Sequence, residues 1–139
     1  MKVWGGFRVG KRAKVTFLKD FPNEMEAWHN GFGSLGRHYR RFVIDKDRFE
    51  IEDSVSTTEK AVSLIHLALD VKVISCSQTE IVTTVAIIRV AGASTIEVVD
   101  DQVSSAYNRF HPSKTIRIHF VEKLSYVVMI EDVSDSNYK

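Results

Sequence analysis

Hydrophobic and polar residues alternate along most of this 139-residue chain, and short turn signals separate the alternating runs. A period of two puts successive side chains on opposite faces of a β-strand. In Arg12-Ala13-Lys14-Val15-Thr16-Phe17, residues Ala13, Val15 and Phe17 share one face. Pro22-Asn23 predicts a turn, after which Glu24 to His29 resumes an extended pattern. Gly31, Gly33 and Gly36 mark a flexible connection into His38 to Ile44. Asp45-Lys46-Asp47 then predicts a hairpin whose return strand is Arg48 to Glu52. Lys60 to Asp70 fits two periods: Ala61, Leu64, Ile65 and Ala68 make a helical stripe, whereas Ser63, Ile65, Leu67 and Leu69 alternate. Its β surroundings favour a strand. Further runs cover 71–75, 81–90, 95–99, 115–121 and 125–130, with Gly92 and Asp100-Asp101 between them. Pro22 and Pro112 fall between runs, where they break no ladder. The pattern predicts an all-β fold in one domain over residues 1–139: an antiparallel β-sandwich, jelly-roll or supersandwich-like, of about 10–12 strands.

Composition strengthens this reading. Val, Ile and Thr supply 37 residues, whereas Leu and Ala supply 14. β-branched side chains lose freedom in helices and pack well on sheets, so a mainly helical bundle is not expected. The 19 Lys and Arg nearly balance the 18 Asp and Glu. That balance argues against nonspecific nucleic-acid binding and against a charged, disordered chain. No apolar run approaches the roughly 20 residues that span a bilayer, so no membrane partner is expected. The start, Met1 to Arg8, has no apolar core followed by a cleavage site, so it reads as no signal peptide. Cys76 is the only cysteine, which excludes an intramolecular disulfide and a multi-cysteine zinc site. Its strand-like surroundings predict a buried, inert thiol.

Few residues suggest chemistry. Gly31 to Gly36 is not followed by the Gly-Lys-Ser/Thr of a phosphate loop, and there is no nucleophile elbow or His-Glu-x-x-His helix. Glu24/Glu26 and Glu50/Glu52 read as solvated pairs on strand faces. His29 and His38 flank the glycine-rich connection and meet if their strands pair; a metal there would need a third ligand, and none is assigned. His29 reads as a polar group at a cleft edge. His66 and His119 lie in strand runs as structural or surface groups, and His111 reads as a loop residue. Arg37, Arg40 and Arg41 cluster about His38 and Tyr39, and Lys11, Arg12 and Lys14 form a second basic group. Arginine forks grip carboxylates or sulfates, and aromatic faces stack on sugar rings. Trp28, His29, Arg37, His38, Tyr39, Arg40 and Arg41 are therefore candidate contacts to an acidic polysaccharide, with a solvated face of snorkelling arginines as the alternative. No catalytic residue and no cofactor is assigned.

Three stretches carry a resemblance. Val3 to Ala13, Ala27-Trp28-His29-Asn30-Gly31-Phe32 and His38-Tyr39-Arg40-Arg41-Phe42 resemble the C-terminal region of the heparinase II/III-like polysaccharide lyases. That region has a His-Asp-Gly-Tyr-like motif, a basic His-Arg-Arg strand and a hairpin ending in Ile-x-Asp, here Ile51-Glu52-Asp53. Asn30 stands in place of the usual Asp, and Phe32 in place of the usual Tyr. Ser104 to Pro112 and Thr115 to Phe120 resemble the closing strands. The resemblance implies an N-terminal α/α-toroid joined to a large antiparallel sandwich, in a bacterial periplasmic or secreted parent. It also implies β-elimination of uronic-acid-containing polysaccharide. The group that neutralises the carboxylate, and most of the Tyr and His that act as base and acid, would belong to the toroid or the early sandwich. His29 is the best match to a cleft-facing family histidine. Proton abstraction needs a base in reach and carboxylate neutralisation on one substrate. This chain alone is therefore expected to be inactive. A noncatalytic carbohydrate-binding module and a structural interaction domain are the rival readings.

Overall fold

The computed structural model describes residues 13–130, and their structure is almost entirely β. Nine strands are present among them: β1 Val15–Phe21, β2 Glu24–His29, β3 His38–Ile44, β4 Arg48–Val55, β5 Lys60–His66, β6 Val73–Cys76, β7 Glu80–Thr83, β8 Ala86–Ala106 and β9 Arg109–Ile130. All pairings are antiparallel, in the order β1-β2-β3-β4-β9-β8-β7-β6, with β5 also on β9. The two-residue turn at Pro22-Asn23, the Asp45-Lys46-Asp47 hairpin and the strand over Lys60 to His66 are as the pattern predicts.

The long β8–β9 ribbon organises the sandwich. β8 runs along one edge of β9, while β4 takes Lys123 to Met129 and β5 takes Thr115 to Val121 of the other edge. Between those two stretches Glu122 has φ 64°, and across the ribbon Gly92 has φ 90°. A Cβ on Gly92 would stand 2.8 Å from the Lys123 carbonyl oxygen, so a side chain there is excluded. Register slips at Ala91/Ala93 and Ala93/Thr95 mark the bulges, which bend and twist a strand. The bend brings both halves of the ribbon to one core. Ile116, Ile118 and Phe120 come from one half, and Ile88, Val90, Leu124, Tyr126 and Val128 from the other. Ile116 and Ile118 are fully buried, and each such side chain contributes about 1.5–3 kcal/mol.

Several local expectations are corrected. The strand count falls below the predicted range among the described residues because Gly92 and Asp100-Asp101 lie within β8, and the runs at 115–121 and 125–130 are one strand. The run at 81–90 is instead a hairpin, clamped where Thr83 Oγ1 accepts from the Ala86 N–H and donates to its carbonyl, both 3.0 Å. Pro112 lies inside β9. Lys114, two residues on, gives its carbonyl to the Leu67 N–H, so the Pro112 nitrogen faces that same edge, beyond the end of β5. A missing N–H is tolerated at such an edge. Cys76 is exposed on β6 rather than buried, and partial desolvation pushes its thiol pKa up. Lys11, Arg12 and the stretch from Val3 lie outside the described residues.

Candidate functional site

Pairing on β3 decides where each candidate side chain goes. His29 lies opposite His38, Trp28 opposite Tyr39, Arg40 opposite Asp53 and Arg41 opposite Glu52. Directly opposed residues share a sheet face, and neighbours along a strand do not. His29, His38 and Arg40 therefore share the inner face with Asp53, Ile51 and Tyr126. Trp28, Tyr39 and Arg41 occupy the outer face, and Arg37 lays its guanidinium 4.1 Å from the Trp28 ring centre. The seven candidates are not one cluster, because a period of two sends Arg40 and Arg41 in opposite directions.

The inner face holds a closed hydrogen-bonded relay. The Gly31 N–H donates to His29 Nδ1 at 3.0 Å, so that nitrogen carries a lone pair. A neutral His29 must then hold its proton on Nε2 and donate it to His38 Nδ1, 3.0 Å away. His38 in turn donates from Nε2 to Asp53 Oδ1 at 2.8 Å. Arg40 closes the relay with a fork, Nε to Oδ1 at 2.7 Å and Nη2 to Oδ2 at 2.8 Å. Asp53 is 2% exposed. Burial alone raises its pKa, but hydrogen bonds from His38 and Arg40, together with the Arg40 charge, outweigh that and hold it below the usual carboxylate range. Burial, with a smaller contribution from His38, lowers the His29 pKa and keeps the ring neutral. Phe32 packs edge-on to His29 at 5.3 Å and stacks on His38 at 6.0 Å. Asn30 anchors the loop, its Oδ1 accepting the Lys14 N–H at 2.8 Å.

The relay runs end to end and does not converge on a cation. Both nitrogens of His29 and both of His38 are engaged. Among the described residues no group of three potential metal ligands comes together. The remaining histidines bond elsewhere: His66 to Thr115, His119 to Glu97 and His111 to Ser105.

The outer face is a solvated ion network. Arg41 Nε lies 3.0 Å from Glu24 and 3.4 Å from Glu26, and Nη1 lies 3.6 Å from Glu52. Lys19 adds contacts of 3.4 Å and 3.6 Å to Glu24 and Glu26. The Arg41 hydrogen bond lowers the Glu24 pKa, and the same bond raises that of Arg41. Burial, then the charge of Glu26, raises the Tyr39 pKa, so its phenol keeps its proton. Beside Tyr39 a groove of about 490 Å³ follows the bend, lined by Ser54, Gly92, Lys123 and Ser125. Thus Glu24/Glu26 are engaged partners rather than idle surface.

Asp53, the centre of the inner relay, is absent from the candidates read from sequence. Its signal was present: Phe49, Ile51, Asp53 and Val55 fall on one face of β4, and a carboxylate at an apolar-face position demands partners. Phe32 and Ser63 had no such mark.

The arrangement is that of an all-β sandwich domain with one polar relay set into its inner face. The description "Heparinase II/III-like, C-terminal" matches residues 1–136, and the chain belongs to that family. No curated protein matches it significantly. Among solved structures it is similar to a heparinase III, the BT4657 gene product, at 12% identity and a TM-score of 0.63, over 88% of this chain and 22% of that one. It is also similar to the heparan sulfate lyase HepC from Pedobacter heparinus, at 13% identity and a TM-score of 0.55, over 87% of this chain and 22% of that one. The chain thus spans about a fifth of the length of these solved relatives.

Proposed function

We propose that this chain is the C-terminal β-sandwich region of a polysaccharide lyase, joined to an N-terminal α/α-toroid, and that it supports the substrate cleft without performing the chemistry. The parent cleaves uronic-acid-containing polysaccharide by β-elimination. Family membership supports this reading, and one structural relative is a heparan sulfate lyase. Val15, Phe17, Met25 and Ile44 support the docking of further protein. They form an exposed apolar patch on the inner face of β1–β3, beside the relay.

One observation carries the noncatalytic assignment. Tyr39 is on the outer face and His29 and His38 are on the inner face, with every imidazole nitrogen already engaged. A base and an acid must reach one sugar ring, and these side chains cannot meet across a sheet. Trp28, Arg37, Tyr39 and Arg41 would touch polysaccharide on one side, and His29, His38 and Arg40 on the other. Incubation of the 139-residue chain with heparan sulfate tests the assignment. No rise in unsaturated-uronate absorbance is expected. A sustained rise proportional to protein concentration overturns it.

A further inference from the structure

Where β3 and β4 face β5, the relay borders a cavity of about 370 Å³, at the small end of ligand pockets. Phe32 and Phe120 supply apolar wall, and Lys60 and Ser63 line it from β5. Two groups there are unused by the fold. Ser63 is 6% exposed, yet its Oγ has no hydrogen-bond partner among the described residues. The Tyr126 hydroxyl lies beside it without hydrogen-bond geometry. A buried hydroxyl left unpaired keeps its full desolvation penalty, so it marks a place where a polar group is accepted. Arg40 spends Nε and Nη2 on Asp53, which leaves the two N–H groups of Nη1 unbonded among the described residues. Both oxygens of Asp53 are engaged, and Glu59, the other carboxylate lining the cavity, is exposed. The groups offered to a ligand are therefore the two free N–H groups of one guanidinium, one hydroxyl and an aromatic wall, in a space of one-ring size.

We propose that this cavity is a subsite for a single acidic sugar residue. Its carboxylate accepts from Arg40 Nη1, a ring hydroxyl pairs with Ser63 Oγ, and the ring lies against Phe32 and Phe120. The choice of a hexuronate rests on the proposed function, whereas the donors, the unpaired hydroxyl and the cavity do not.

Titration of the 139-residue chain with glucuronic acid, followed by amide chemical shifts, tests this. Saturable shifts at Phe32, Lys60 and Ser63 are expected, with a dissociation constant of roughly millimolar order for so small a ligand. Glucose and inorganic sulfate at the same concentrations should not saturate. Ser63→Ala should weaken binding about 3- to 10-fold, the value of one hydrogen bond, without lowering Tm. Lys60→Gln, on the face of β5 opposite Ser63, should leave affinity unchanged. Absence of saturable shifts, equal binding of glucose, unchanged affinity in Ser63→Ala, or a lower Tm in Ser63→Ala each overturns the subsite. Turnover by the longer parent tests the lyase reading separately, so a parent that cleaves polysaccharide while this chain ignores glucuronate discards the subsite alone.

Discussion

His38 and Arg40 point inward from β3, while Tyr39 and Arg41 point outward, and the two faces put similar residue types to different uses. On the inner face one carboxylate, 2% exposed, is held by a guanidinium fork and an imidazole. On the outer face three glutamates share Arg41 and Lys19 at 3.0–3.6 Å in contact with water. Buried ion pairs give back little net energy when formed but cost much when one member is removed. Exposed pairs contribute little either way. Burial, and not the number of charges, decides which cluster the fold depends on.

The largest expected effect breaks the inner face. Asp53→Ala leaves Arg40 and His38 without their acceptor, and unfolding by urea should show a loss of about 3 kcal/mol, the low end for a broken buried pair, because Arg40 can turn toward water. A smaller effect follows from pH. The folded chain holds His29 below its ordinary value of 6.5, so the unfolded chain binds that proton first. Stability is therefore complete above about pH 6.5 and declines below it. Asp53, also lowered, adds a second loss only as pH falls below about 4. In His29→Gln, which keeps a donor toward His38 but cannot titrate, the decline of Tm between neutral and mildly acidic pH should flatten while the lower step remains. The smallest effect is on the outer face: Arg41→Ala should leave the urea midpoint within error of the parent, and its residual effect should vanish in high salt. A large loss in Arg41→Ala would erase the distinction between the faces.

Much of the fold was legible because alternation is a strong signal. The β1–β2 and β3–β4 hairpins, and the strand at Lys60 to His66, followed from period and turn residues alone. The merging of runs into β8 and β9 was not legible. A glycine such as Gly92 reads equally as a strand end or as a bulge, and only the partner strand, with Glu122 opposite, decides. At the site, the meeting of His29 with His38 followed from the loop between them. The division of the seven candidates between two faces was available from the same alternation, yet a cluster of arginines in sequence invites reading as a cluster in space. Asp53 could have been found as a charge on an apolar face. The unpaired Ser63 could not, because a missing partner is a property of the assembled core.

The closed relay makes one direct claim about protons. In the 139-residue chain at neutral pH, imidazole nitrogen shifts measured by NMR should show His29 neutral, with its proton on Nε2 and a bare Nδ1, and an accepting Nδ1 on His38. A proton on Nδ1 of either ring, or an imidazolium at His29, would contradict the relay and reopen both histidines as free groups.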